Sequence, residues 1–293
     1  MNANVYQIIT ERFINELQKG IIPWKKPWIT VGGGKCISYV TRKPYSILNQ
    51  MLLGDEGEYL TFNQVKNLGG SIKKGAKAKF VCFYKIVSKS VEKDDGTTEV
   101  KSIPYLRYYN VFHIDDTEGI KSKIKAPELK DTNPIDDAEK VITDYVERDG
   151  KLTFEPTLGD RAFYSPALDK VVVPSIKQYE NAEEYYSTAF HELTHSTLKP
   201  YRCNRESEGK AVAFGDGVYS REELVAEIGS AMLCANAGLD DSKTFKNSTA
   251  YLQNWLTALQ NDIYMIVWAS SRAEKAAKYI LGITEEDAEP SEE

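Results

Sequence analysis

The chain has 293 residues, 42% of them hydrophobic and 27% charged, with a net charge of −6. That composition describes a globular protein, and the length favours two domains over one core. No apolar run nears the roughly 20 residues needed to span a bilayer. The opening Met1-Asn2-Ala3-Asn4 signals no secretory leader, so a cytoplasmic protein without membrane contact is expected.

The charge is divided along the chain. Residues 1–125 hold 20 Lys and Arg against 12 Asp and Glu, whereas residues 126–293 hold 17 against 31. A basic first part joined to an acidic second implies that only the first meets a polyanion. The four cysteines, Cys36, Cys82, Cys203 and Cys234, form no C-x-x-C pair. That argues against a disulfide framework or a cysteine zinc site and for ordinary buried thiols.

Val5, Ile8, Ile9, Phe13 and Leu17 mark one face of an opening helix that Gly20 closes. In Ile21-Ile22-Pro23-Trp24-Lys25-Lys26-Pro27-Trp28 the prolines exclude a helix, and two indoles flank two ammonium groups. Aromatic faces beside cations suit stacking on unpaired bases while phosphates are neutralised. The competing reading is that the tryptophans pin an extended arm onto the domain. The pattern returns in Arg42, Lys43 and Tyr45, in Lys73, Lys74 and Lys77 beside Gly75, and in Arg107 with Tyr108 and Tyr109. A short helix over 62–68, begun by Thr61, precedes a strand over 80–84. That strand is expected to pair with 105–113 across an Asp94-Asp95-Gly96 tip. No Gly-rich nucleotide loop appears, so ATP is not implied.

Residues 121–134 turn rich in Lys, Asp and Pro, and 126–134 are read as an interdomain linker. A helix near 135–149 follows, then extended stretches over 152–155 and 162–175. A strand just before the next helix is where a protease would keep an edge free for a substrate backbone. That helix, capped by Asn181 with Glu184 three residues on, carries Phe190-His191-Glu192-Leu193-Thr194-His195. Ser220 then caps a helix over 221–237, and a helix or helix pair runs from about 248 to 281. The acidic tail, 285–293, is expected to be disordered.

The His191–His195 spacing decides the chemistry. At 3.6 residues per turn, imidazoles four apart share a helix face and can point at one ion. Glu192 then faces a water polarised by that ion, where it can act as general base. Only three histidines exist, and His113 lies 78 residues upstream, so the third ligand is expected to be a carboxylate. Glu222, Glu223 and Glu227 are at hand, and the latter two share a face. Glu223 is taken as the ligand and Glu227 as the carboxylate holding a ligand histidine, though spacing alone does not fix their order.

The whole resembles the ArdC-like antirestriction proteins of mobile elements. In the first half the resemblance rests on Pro23-Trp24-x-x-Pro27-Trp28, Lys43-Pro44-Tyr45-Ser46 with Asn49, Tyr59-x-Thr61-Phe62-x-Gln64, Leu68-Gly69-Gly70 with Lys74-Gly75, and Val111-Phe112. In the second it rests on His191-Glu192-Leu193-Thr194-His195, on residues 222–228, and on Tyr251-x-x-x-Trp255-Leu256. His113 departs from the pattern, which has Asn there.

The resemblance implies an α+β protein: a small basic single-stranded-DNA-binding domain over 1–125, then a zincin-like metallopeptidase domain of gluzincin type over 135–284. It implies Zn²⁺, a protein substrate, and protection of incoming DNA from restriction. In gluzincins a Glu ligand is followed four residues later by a carboxylate that orients a histidine, and Glu223 and Glu227 match. Tyr219 and Arg221 are its candidate oxyanion donors. The alternative is a non-catalytic protein that occludes single-stranded DNA and whose metal site is structural. A two-metal nuclease would need clustered carboxylates instead of two imidazoles.

Overall fold

The computed structural model describes residues 2–25, 36–92, 98–124, 134–205, 217–239 and 249–283. The chain divides into two compact units, Met1–Arg12 with Cys36–Ile124, and Phe13–Lys35 with Lys125–Glu293. Helix α1, Asn2–Gln18, buries Tyr6, Ile9, Phe13 and Leu17 along one stripe, and Gly20 follows it at φ 79°. The expected tail at 285–293, the Asp94-Asp95-Gly96 tip and nearly all of the 126–134 linker lie outside the described residues.

The first unit is built on a four-stranded sheet of order β1-β2-β5-β4: Cys36–Ser38, Gly57–Leu60, Thr98–His113 and Lys79–Glu92. β1 and β2 run parallel, and the other pairings are antiparallel. The β4–β5 pairing runs well past the segments that the alternation predicts. Helix α2, Ile47–Leu53, was not foreseen from the sequence; it buries six of its seven residues and ends at Gly54 in the left-handed conformation. Helix α3, Phe62–Asn67, starts as expected, with Thr61 and Gln64 bonding each other's backbone N–H. β3, Ser71–Ile72, pairs with β6, Thr117–Glu118.

Buried Glu58 ties this unit together. It pairs with Arg42, which holds a left-handed φ of 60°, and accepts from Lys123 N at 2.8 Å. His113 is fixed at both nitrogens, Nδ1 receiving Asp115 N at 3.2 Å and Nε2 facing Glu56 O at 2.8 Å. The ring sits so close to Gly57 that any Cβ there would overlap Nε2. Cys36 and Cys82 are free buried thiols, each pushed up to about 12 by burial.

In the second unit, β7 (Thr153–Thr157), β8 (Phe163–Ser165) and β9 (Lys170–Pro174) form a sheet of order β7-β9-β8. The single extended stretch expected over 162–175 is thus a hairpin, turned at Asp169 with φ 48°. β9, expected to keep a free edge, is the central strand, because β7 pairs with its other side. Helix α5 (Ala182–Ser196) lies on the sheet, and α4 (Pro134–Asp149), α6 (Gly217–Ala237) and α8 (Met265–Leu281) pack against α5 and one another, with α7 at Thr249–Asn261. Their core includes Ile142, Tyr145, Val171, Val173, Phe190, Leu193, Leu233 and Ile280. Ser220, expected as the cap of α6, instead lies inside its first turn.

Candidate metal centre

Asn181 starts α5 by accepting Glu184 N at 2.8 Å, and the helix runs unbroken through His191 and His195. α6 crosses it closely. At the crossing Gly229 meets Thr194, and a Cβ on Gly229 would come 2.7 Å from Thr194 Cγ2. This approach carries the first turns of α6 over the histidine face of α5. Leu224, Val225, Ala226 and Ile228 are fully buried there, so α6 is apolar on nearly every side.

The donors converge. His191 Nε2 and His195 Nε2 are 3.2 Å apart, and Glu223 places its two carboxylate oxygens 3.4 Å from them, one from each. Ligands about 2.0–2.2 Å from a tetrahedral ion lie roughly 3.3–3.6 Å from one another, so the three donors fit a single small cation. Among the described residues His191, His195 and Glu223 form the group able to hold a metal ion. Glu192, on the same helix and 9% exposed, stands next to His191.

Behind the three donors, Glu222 faces His195. Glu222 Oε1 lies 3.4 Å from His195 Nδ1, and Arg205 grips the same carboxylate through Nη2 at 2.9 Å and Nε at 3.2 Å. Burial opposes charge on His195, but Glu222 and Glu223 outweigh it and raise its pKa to about 10. Glu223 and Glu222 are held below the usual carboxylate range: burial raises them, and their histidine contacts, with Arg205 for Glu222, more than offset it. Two consecutive residues of α6, Glu222 and Glu223, meet His195, where Glu227 was expected to be the carboxylate holding a ligand histidine. Arg221 is bonded to Asp262 at 2.7 Å and lies over Trp268, which engages the guanidinium offered as an oxyanion donor; the Tyr219 side chain is outside the described residues.

The residues expected to meet DNA are dispersed. Trp24 is 1% exposed, stacked on Phe13 at 6.5 Å and edge-on to Trp255 at 5.8 Å, in a 3₁₀ turn against α6. No base can stack on it, and the pinning alternative holds for this tryptophan. The Lys25 side chain, Lys26 and Trp28 lie outside the described residues. Lys43, Lys73, Lys74, Lys77 and Arg107 are exposed on the first unit. Arg42 is 39% exposed and paired to Glu58, and Tyr45 is partly buried edge-on to Tyr59. Tyr108 and Tyr109 show half of their surface to solvent, and Phe80 meets Tyr108 edge-on at 6.2 Å.

A helix carrying H-E-x-x-H, crossed by a helix that brings Glu223 to the two histidines and backed by a small sheet, defines the zincin class. Residues 143–272 match the family described as zincin-like metallopeptidase, and residues 3–112 match the N-terminal domain of anti-restriction factor ArdC. The metal-free crystal structure of the antirestriction protein ArdC from plasmid R388 is 31% identical, with a TM-score of 0.70 over 95% of this chain and 97% of that one. Its Mn(II)-bound structure is 30% identical, with a TM-score of 0.69. The chain belongs to the ArdC antirestriction family.

Two Escherichia coli proteins named DNA primase TraC are 26% and 28% identical over 97% and 94% of this chain, which spans 20% and 27% of their lengths. A Sinorhizobium fredii protein, y4eC, is 25% identical over 95% of this chain and 92% of its own. No helix among the described residues is long and apolar enough to cross a membrane.

Proposed function

We propose that the protein binds single-stranded DNA with residues 1–125 and carries a zinc peptidase site over 135–284, acting in the cytoplasm to protect incoming DNA of a mobile element. The observation that carries the peptidase reading is the convergence of His191, His195 and Glu223 within 4.8 Å of one another, with Glu192 beside them. Two imidazoles and one carboxylate suit zinc, whereas manganese favours all-oxygen surroundings. The Mn(II)-bound structure of the R388 relative supports a divalent ion as the metal partner. When bound, such an ion supplies Lewis acidity to a water and to a peptide carbonyl.

The chain's own residues do the rest. His191, His195 and Glu223 would hold the ion. Glu192, nearly buried beside His191, is the group to take the proton from an attacking water and return it to the leaving amine. The basic balance of residues 1–125 supports the DNA partner. The exposed Lys73, Lys74 and Lys77, with half-exposed Tyr108 and Tyr109 on β5, offer cations and ring faces together. Adjacent strand residues point to opposite faces, so these two tyrosines present one ring to each side of the sheet.

Glu192→Gln tests the reading. It keeps side-chain size and all three donors, so zinc content by elemental analysis and single-stranded DNA binding should stay unchanged. Cleavage of a partner or of the protein itself on single-stranded DNA should fall by about 10² to 10⁴ fold. Undiminished protection in cells by this variant would favour the occluding, non-catalytic alternative.

A further inference from the structure

We propose that Arg205 is a positioning residue for the metal site, seating Glu222 so that Glu222 holds His195 by Nδ1 and leaves Nε2 aimed at the ion. The inference rests on the metal reading above but concerns residues outside the three donors. Arg205 lies in the turn after α5, is 3% exposed, and has no surface role.

Its guanidinium is used on every side. Nη1 donates to Thr197 Oγ1 at 2.8 Å, and Nη2 to Thr194 O at 3.2 Å. Nε and Nη2 together hold the two oxygens of Glu222. Thr197 Oγ1 in turn donates to Thr194 O at 2.6 Å, so the final turn of α5 and its end form one face of the cradle. One planar cation therefore fastens the carbonyl beside His195 and the carboxylate facing His195 at the same time. A five-donor fork can do this; an ammonium on a flexible stem cannot satisfy all four acceptors.

The consequence is a defined tautomer. Once a cation displaces the Nε2 proton, Nδ1–H still donates to Glu222 and the Nε2 lone pair meets the point shared with His191 and Glu223. Without Arg205, Glu222 would be a buried carboxylate with only the imidazole to hold it, free to turn toward other donors. The residue does not touch an ion or a substrate, so its effect must pass through Glu222.

The test uses the full chain, stripped of metal by chelation and titrated with Zn²⁺ in competition with a chromophoric chelator. A parallel Co²⁺ titration reads the ligand field from visible absorption. Arg205→Lys and Glu222→Gln are chosen because both keep size and polarity in a buried place; Arg205→Met is the harsher variant. Folding of each metal-free variant is confirmed by circular dichroism.

We expect affinity to fall about 10 to 100 fold in Glu222→Gln and in Arg205→Met, with Arg205→Lys between these and wild type, and an altered Co²⁺ spectrum. Adding Arg205→Lys to Glu222→Gln should weaken binding no further, because the two act in series. Wild-type affinity and spectrum in folded Arg205→Lys and Glu222→Gln would overturn the proposal, leaving Arg205 as a fastener of α5 that changes only thermal stability. Additive losses in the double variant would overturn it too. If the wild type itself binds no metal, the metal reading fails and takes this inference with it.

Discussion

Glu222 and Glu223 are neighbours in sequence, yet they serve different ends of one imidazole system. A helix turns about 100° per residue, so Glu223 faces both Nε2 atoms while Glu222 faces Nδ1 of His195. The H-E-x-x-H pair was legible because its geometry is local to one helix turn. The role of Glu222 was not, because it depends on Arg205 and on the rotation of a helix that is apolar nearly all round and so shows no polar stripe to orient it. Zinc affinity should therefore fall in the order Glu223→Ala, Glu222→Ala, Glu227→Ala, with the second costing about 10 to 100 fold by competitive titration. A larger loss for Glu227→Ala than for Glu222→Ala would favour the assignment by spacing. A second residue-scale prediction concerns Glu56, whose Oε1 is buried with no partner among the described residues and whose pKa burial raises to about 7. A raised folded value means that the stability it allows is complete below the ordinary carboxylate range and is lost as pH rises through about 7. Glu56→Gln should melt like wild type near pH 4 and above it at pH 8. Equal melting at both values would mean that ionised Glu56 is well solvated.

Between elements, two contacts set the frame that holds the site. At the α5–α6 crossing, Gly229→Ala should cost about 1–3 kcal/mol, since its Cβ would meet Thr194. Thr194→Ala should recover part of that loss in a denaturant-melt cycle, and no recovery would place the strain elsewhere. Arg202 ties three elements: it donates to Asp149 at the end of α4, to Asp169 in the β8–β9 turn, and to Ser196 O at the end of α5. Burial raises both carboxyls, but Arg202 overcomes this and holds them below the usual range. Their contribution is thus present above the ordinary carboxylate pKa and is lost as pH falls through the depressed values. Arg202→Met should lower stability at pH 7 by about 3–5 kcal/mol, by leaving two carboxylates without their cation. The gap from wild type should narrow on acidification below pH 4, and a gap independent of pH would show that packing dominates. None of this was readable in advance. Asp149, Asp169 and Arg202 are far apart in sequence, and the hairpin that brings Asp169 in was hidden inside one continuous extended stretch.

For the whole molecule, charge and composition anticipated two parts, but not which part the first tryptophan serves. Trp24 sits with Lys25 and Lys26 in sequence, and only its contacts with Phe13 and Trp255 reveal it as core. Trp24→Ala should lower the stability of the second unit by about 3–5 kcal/mol and leave single-stranded DNA affinity of the folded protein unchanged. Tyr108→Ala should do the opposite, weakening DNA binding by about 1–3 kcal/mol with little shift in melting. A loss of DNA affinity in folded Trp24→Ala would return the indole to the interface. The placement of Phe13–Lys35 with Lys125–Glu293 has a further consequence for biosynthesis. Trp255 is translated roughly 230 residues after Trp24, a delay on the order of 10 to 50 s at bacterial elongation rates. All of Cys36–Ile124 leaves the ribosome in that interval and can complete its own sheet. Phe13 is present from the start to stack on Trp24, but the edge-on contact with Trp255 forms only after that interval. A gene fragment that ends before Trp255 would release a nascent chain whose first unit can be finished while the second lacks the partner of its Trp24 indole.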